Sequence, residues 1–170
     1  MAKRWYQRGN STDDDFARFF FYFTAFNSLF HYWGVTDHVT NSQGGPGGDV
    51  LKIYHLISEF TMDQTKAILK QSEASVTYFI GRGPIRRLDK ISLSDQVREG
   101  ADYLRILQSS TTSMESLESL AQILYLVRSN LVHGSKEDVG DDAQLIRNSN
   151  VPLKSIVESA IEYSKLRLRV

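Results

Sequence analysis

Three features of the sequence predict an all-α fold, a single-domain helical bundle. Apolar residues recur at three- and four-residue spacing over long stretches, most clearly in 16–33 and 117–131. Capping residues stand ahead of both stretches, Asp13-Asp14-Asp15 before the first and Thr112-x-x-Glu115 before the second. No segment sustains the apolar–polar alternation of a half-buried strand between turn signals, and Ser75 to Ile80 is the only strand-like run. The expectation is one domain over residues 1–170 with about five to seven helices, residues 1–12 forming a flexible N-terminus.

Taken in order, the aspartates cap a helix from about Phe16 to Trp33, with Gly34 as its stop. Phe16, Phe19, Phe20, Phe23, Phe26 and Phe30 share one stripe of it, and Asn27 sits in the middle of that stripe. A buried amide must be hydrogen-bonded. Asn27 therefore either answers a polar group on another helix, with Arg128 or the backbone near His133 as candidates, or satisfies a loop carbonyl. The loop Gly44-Gly45-Pro46-Gly47-Gly48 lacks the Gly-Lys-Ser/Thr ending of a phosphate-binding loop and reads as a connector. Asp49 caps a helix to about Phe60, and another is expected from about Met62 through Phe79.

Gly81-Arg82-Gly83-Pro84-Ile85-Arg86-Arg87 then breaks the helical pattern. Arg82, Arg86 and Arg87 are the densest basic patch of the chain, either a solvated loop or one that contacts phosphates. Ser94 to about Gln108 turns Val97, Ala101, Leu104 and Leu107 or Ile106 inward, and the Thr112 capping box opens a helix that runs to His133. After the polar loop from Gly134 to Gly140, Asp141-Asp142 starts a further helix. Pro152 either kinks it or begins a new one, and Leu153, Ile156, Val157, Ala160 and Ile161 supply its apolar face.

Twenty basic and twenty acidic residues cancel over 170 positions, so no global field steers the protein to nucleic acid, and any RNA contact must be local. The absence of cysteine excludes a disulfide framework and thiolate metal sites, and fits a cytoplasmic location. Met1 to Arg8 is basic, but acidic and polar residues follow where the apolar part of a signal peptide would lie. Arg18, Thr24, Asn27, Ser28 and His31 interrupt the aromatic run, which argues against a membrane span. His31, His38 and His55 are scattered, and no His-Glu-x-x-His or Asp-x-Asp spacing appears, so neither a metal nor another cofactor is expected.

Arg128-Ser129-Asn130-Leu131-Val132-His133-Gly134-Ser135-Lys136 carries the most chemical information. At roughly 100° per residue, Leu120, Ala121, Leu124, Val127 and Leu131 form one apolar stripe of the helix, and Arg128 falls inside it. His133 lies near the glycine that ends the helix, and Asn130 sits on the histidine's side one turn earlier. Ile123, Tyr125 and Leu126 lie off the main stripe, so this helix is either central in the bundle or paired with its twin in a second chain.

The run from Leu124 to Gly134, with its Arg-x4-His, resembles the motif of the HEPN superfamily, small helical domains of prokaryotic ribonuclease toxins and defence proteins. The aromatic segment Phe19 to Trp33 with its central Asn27 resembles the first helix of one branch of that superfamily. The resemblance implies a metal-independent endoribonuclease that cleaves RNA by attack of its own 2′-hydroxyl and leaves a 2′,3′-cyclic phosphate. Arg128 would hold the scissile phosphate, His133 would act as general acid or base, and Asn130 would orient one of them. Ser129, Lys136, Arg82, Arg86 and Arg87 are candidate substrate contacts, and Asn27 a supporting residue. A homodimer through the motif helix is implied too, since one histidine per chain is thin for acid–base work at both ends of the reaction. An antitoxin or another regulatory protein is a further implied partner. Two positions depart from the pattern: Ser129 stands where the family often has Asn, Asp or His, and Ser135 where some toxins carry a tyrosine that an antitoxin modifies. The alternative is a non-catalytic HEPN module that binds RNA, a nucleotide or a protein partner.

Overall fold

A computed structural model describes residues 1–45, 47–86, 92–133 and 139–168, with the backbone alone at 93, 95, 96, 132, 133 and 139–141. Eight helices account for the regular structure of the described residues: α1 (Ala2–Asn10), α2 (Asp15–Thr36), α3 (Asp49–Ser58), α4 (Met62–Gln71), α5 (Glu73–Arg82), α6 (Leu93–Ser109), α7 (Met114–His133) and α8 (Val139–Arg167). The all-α expectation holds, with more helices than the five to seven expected and no strand at Ser75–Ile80, which lies within α5.

The extra helices come from two places. Residues 1–12, expected to be flexible, contain α1, which packs along α2. Trp5 stacks on Phe21 and Tyr6 on Tyr22, and the Tyr6 hydroxyl donates to Glu158 of α8. Gly9 permits that approach, because a Cβ there would stand 2.4 Å from the Tyr22 ring. The segment expected as one helix from Met62 to Phe79 is instead split at Ser72, whose N–H turns back to the Ile68 carbonyl at 2.9 Å. The Thr61–Gln64 capping box opens α4, with the Gln64 N–H donating to Thr61 Oγ1 at 3.2 Å.

Helix α2 begins as its aspartates predict, with the Ala17 N–H donating to Asp14 Oδ1 at 2.6 Å. It does not stop at Gly34. It continues to Thr36 and ends where His38 takes a left-handed φ of 53°, which lets the Val39 N–H return to the Gly34 carbonyl at 2.9 Å. Phe19, Phe23, Phe26 and Phe30 are buried, but Phe16 and Phe20 are 45% and 61% exposed, so the core stripe is narrower than the sequence suggests. At the start of α7 the cap lies one residue later than expected: the Ser116 N–H donates to Ser113 Oγ at 3.2 Å, and the helix opens at Met114.

Helix α7 is the centre of the bundle. It packs against α3, α4, α6 and α8, and Leu117, Leu120, Ala121, Ile123, Leu124, Leu126 and Val127 are all buried. Burial on more than one side is what a central helix requires. Leu126, which lies off the main stripe, is therefore a core residue, and the apolar residues of this helix from Leu117 to Val127 are buried or half-buried within the chain, while Leu131 is exposed. Helix α8 carries Pro152 in its interior and buries Ile146, Leu153, Ile156, Val157 and Ala160 against its neighbours. No helix among the described residues is long and apolar enough to cross a membrane.

Candidate functional site

Helix α7 leaves the core at Arg128. From Ser116 to Val127 all residues but Glu118 and Tyr125 are buried, Arg128, Ser129 and Asn130 are half-buried, and Leu131 is exposed. The Arg128 guanidinium lies over the Phe23 ring of α2, its central carbon 5.7 Å from the ring centroid. A guanidinium is less strongly hydrated than an ammonium and tolerates an aromatic face, so the stripe can hold this charge where a lysine would fit poorly. It is thus Phe23, one turn before Asn27, that meets Arg128. The Asn27 side chain makes no hydrogen bond among the described residues, and being only half-buried it can remain hydrated.

Asn130 does something the sequence did not announce. Its side-chain amide donates to the main-chain carbonyl of Arg86 at 2.7 Å, which ties the arginine loop to the open end of α7. The loop is held from a second side. Ile85 is buried, and its carbonyl oxygen sits so close to Gly100 of α6 that a Cβ there would stand 2.3 Å away. Only glycine admits such an approach. The Asn130 Oδ1 atom is itself buried and has no partner among the described residues.

Ile85 thus anchors the loop against α6 beside the Asn130 bond, while the Arg86 side chain is exposed. Arg82 is exposed as well, at the last residue of α5. Arg87 and Lys136 lie outside the described residues, and so does the side chain of His133, whose backbone closes α7. The arrangement therefore gathers Arg128, Ser129, Asn130 and the backbone of the arginine loop at one end of the bundle. It leaves Asn27 without a hydrogen bond to that group.

Two further polar clusters escape the sequence reading, because their members are far apart in the chain. The Tyr125 hydroxyl donates to Asp49 Oδ2 at 3.1 Å, and the other Asp49 oxygen lies 3.2 Å from His31 Nε2. Lys52 Nζ stands 3.4 Å from His31 Nδ1, so the imidazole is flanked by a carboxylate and an ammonium. At the C-cap of α2, Arg167 grips Asp37 with both terminal nitrogens, at 2.6 and 2.7 Å, and His55 Nε2 lies 2.7 Å from the same carboxylate. The hydrogen bonds from Arg167 and His55 hold the Asp37 carboxyl below its ordinary range despite the opposing effect of burial. Arg167 also covers Trp33 at 4.5 Å, and the Tyr163 hydroxyl beside it donates to Glu59 at 2.7 Å. That group fastens the end of α8 to α2 and α3.

Groups of three or more histidine, aspartate and glutamate side chains suited to a metal ion are absent among the described residues. No protein-family model matches this chain, and neither a curated protein nor a solved structure does.

Proposed function

We propose that this protein is a metal-independent endoribonuclease of HEPN type, toxin or defence related, with its site at the open end of α7. The observation that carries the reading is the 2.7 Å bond from Asn130 to the Arg86 carbonyl, because it sets the densest basic loop beside the Arg-x4-His segment. Attack by a 2′-hydroxyl builds negative charge on the phosphate, so cationic groups are needed near the reacting atoms. Arg128 holds the scissile phosphate by its planar fork, and His133 moves the proton of the attacking or the leaving oxygen. The nucleophile is already tethered next to phosphorus, which is why the chemistry can proceed without a metal.

In this reading Asn130 serves as a positioning residue. Its amide faces the loop carbonyl, and it contributes by fixing the arginines rather than by touching the nucleotide. Arg82, Arg86, Arg87, Ser129 and Lys136 contact flanking phosphates, which need only charge and reach. A homodimer completes the site on chemical grounds, since each chain brings one motif histidine and the reaction uses both an acid and a base. The same reading carries a cytoplasmic location and restraint by an antitoxin or another regulatory protein.

The test is incubation of purified protein with structured RNA in EDTA, beside Arg128→Ala and His133→Ala. Cleavage that survives chelation, leaves 2′,3′-cyclic phosphate ends and is lost in both variants supports the assignment. Activity that vanishes with chelator and returns with magnesium or manganese would overturn it.

A further inference from the structure

A second site lies away from the motif end, in the cavity of about 410 Å³ between α4, α5 and the turn that follows α6. We propose that this cavity binds a single-chain amphiphile with an anionic head, a medium-chain fatty carboxylate in the plainest case. Its floor is apolar: Leu69 from α4, Val76 and Ile80 from α5, and Leu107 from α6. It lies beside the break at Ser72, where α4 ends and α5 begins.

The rim decides the head group. Lys66 and Lys70 stand one helical turn apart on α4, both exposed, and neither is ion-paired among the described residues. Glu73 is the one acidic side chain in the lining, so the two lysines leave the rim with a net positive charge. Two unpaired ammonium groups above an apolar floor match a carboxylate on an alkyl chain.

Size separates this occupant from a docking protein. Concave sites for small ligands begin at roughly 300 Å³. At ~30 Å³ for each heavy atom or water, the cavity holds on the order of a dozen non-hydrogen atoms. A single leucine side chain from a partner, with four heavy atoms, would leave most of that space filled with water against apolar walls, and a phenylalanine about half of it. A ten-carbon carboxylate fills it.

The experiment is calorimetric titration of the full chain with decanoate, hexanoate and decylamine, paired with amide chemical-shift mapping. Each buried methylene is worth about fourfold in affinity, so decanoate should bind roughly two hundredfold tighter than hexanoate, with shifts centred on Leu69, Val76, Ile80 and Leu107. Decylamine should bind at least tenfold more weakly than decanoate, and the Lys66→Gln, Lys70→Gln double variant should lose about as much decanoate affinity. Thr77 is exposed on the rim, so Thr77→Trp fills the cavity without entering the core and should abolish binding. Equal affinity for decylamine, full binding by Thr77→Trp, or no decanoate heat and no shifts at millimolar concentration would each overturn the proposal. None of these outcomes depends on RNA cleavage.

Discussion

The side-chain amide of Asn130 and the main-chain carbonyl of Arg86 lie 2.7 Å apart, across 44 residues of sequence, and this bond joins the end of the central helix to the basic loop. A loop carbonyl held in this way fixes the path of the backbone while leaving the neighbouring side chain exposed. Asn130→Ala should therefore cost about 1 kcal/mol, the net worth of one hydrogen bond, and lower Tm by about 2 to 4 °C. Limited trypsin digestion should cut faster after Arg86 in the variant. An unchanged digestion rate would mean that Ile85 alone holds the loop.

Gly100→Ala tests the other side of the same clamp. Alanine in a helix interior normally gains up to about 1 kcal/mol over glycine, so a bare propensity argument predicts stabilisation. Here the new Cβ would stand 2.3 Å from the Ile85 carbonyl oxygen and 3.2 Å from its nitrogen. Both atoms belong to the backbone, so no rotamer change relieves the clash, and overpacking of this kind costs about 1 to 3 kcal/mol. The expected sum is a net loss, read as a lower urea midpoint with unchanged slope. A midpoint at or above wild type would show that the loop moves aside freely.

Much of the architecture could be read from the chain, and the reasons for the exceptions are physical. Asp14 and the Ser113–Ser116 region mark helix starts through local hydrogen bonds, and local chemistry is what sequence spacing records, whereas Asp49, expected as a cap, is the first residue of α3 and turns its carboxylate to Tyr125 and His31 instead. The burial of Leu126 and the exposure of Phe20 depend on which neighbours arrive, and one helix's periodicity cannot report that. Gly100 carries a signal of its own: a glycine inside a helical stretch marks a close backbone approach, here that of Ile85. The bond between Asn130 and Arg86 joins the motif helix to the arginine loop, yet no pattern along the chain fixes the distance between them. The Asp37, His55 and Arg167 group was invisible for the same reason.

That last group sets a pH dependence. The Asp37 carboxyl titrates below its ordinary range, chiefly because Arg167 donates to it, with His55 adding to the effect. A depressed folded value means that the carboxylate's contribution is fully present above the unfolded value, near 4, and is lost as pH falls through the folded value. Asp37→Asn should therefore be less stable than wild type at neutral pH, and the two melting curves should converge under acid conditions. Parallel curves from pH 7 down to pH 2 would show that the grip of Arg167 on Asp37 adds nothing to folding.

The last prediction separates a phosphate-binding Arg128 from one that merely packs. Its contact with Phe23 is a cation over a ring face at 5.7 Å, worth about 0.5 to 1 kcal/mol at a partly exposed position. Arg128→Met keeps the apolar stem against Phe23 and removes the charge, whereas Arg128→Lys keeps the charge and loses the planar fork. If the arginine only fills space, both variants should retain any RNA cleavage, with differences that follow their melting temperatures. If it holds the phosphate in a bidentate grip, methionine should abolish cleavage and lysine should lower kcat by at least tenfold, about 1.4 kcal/mol of transition-state binding, while both stay folded. A lysine variant with full kcat would remove the bidentate role and leave Arg128 as a packing residue over Phe23.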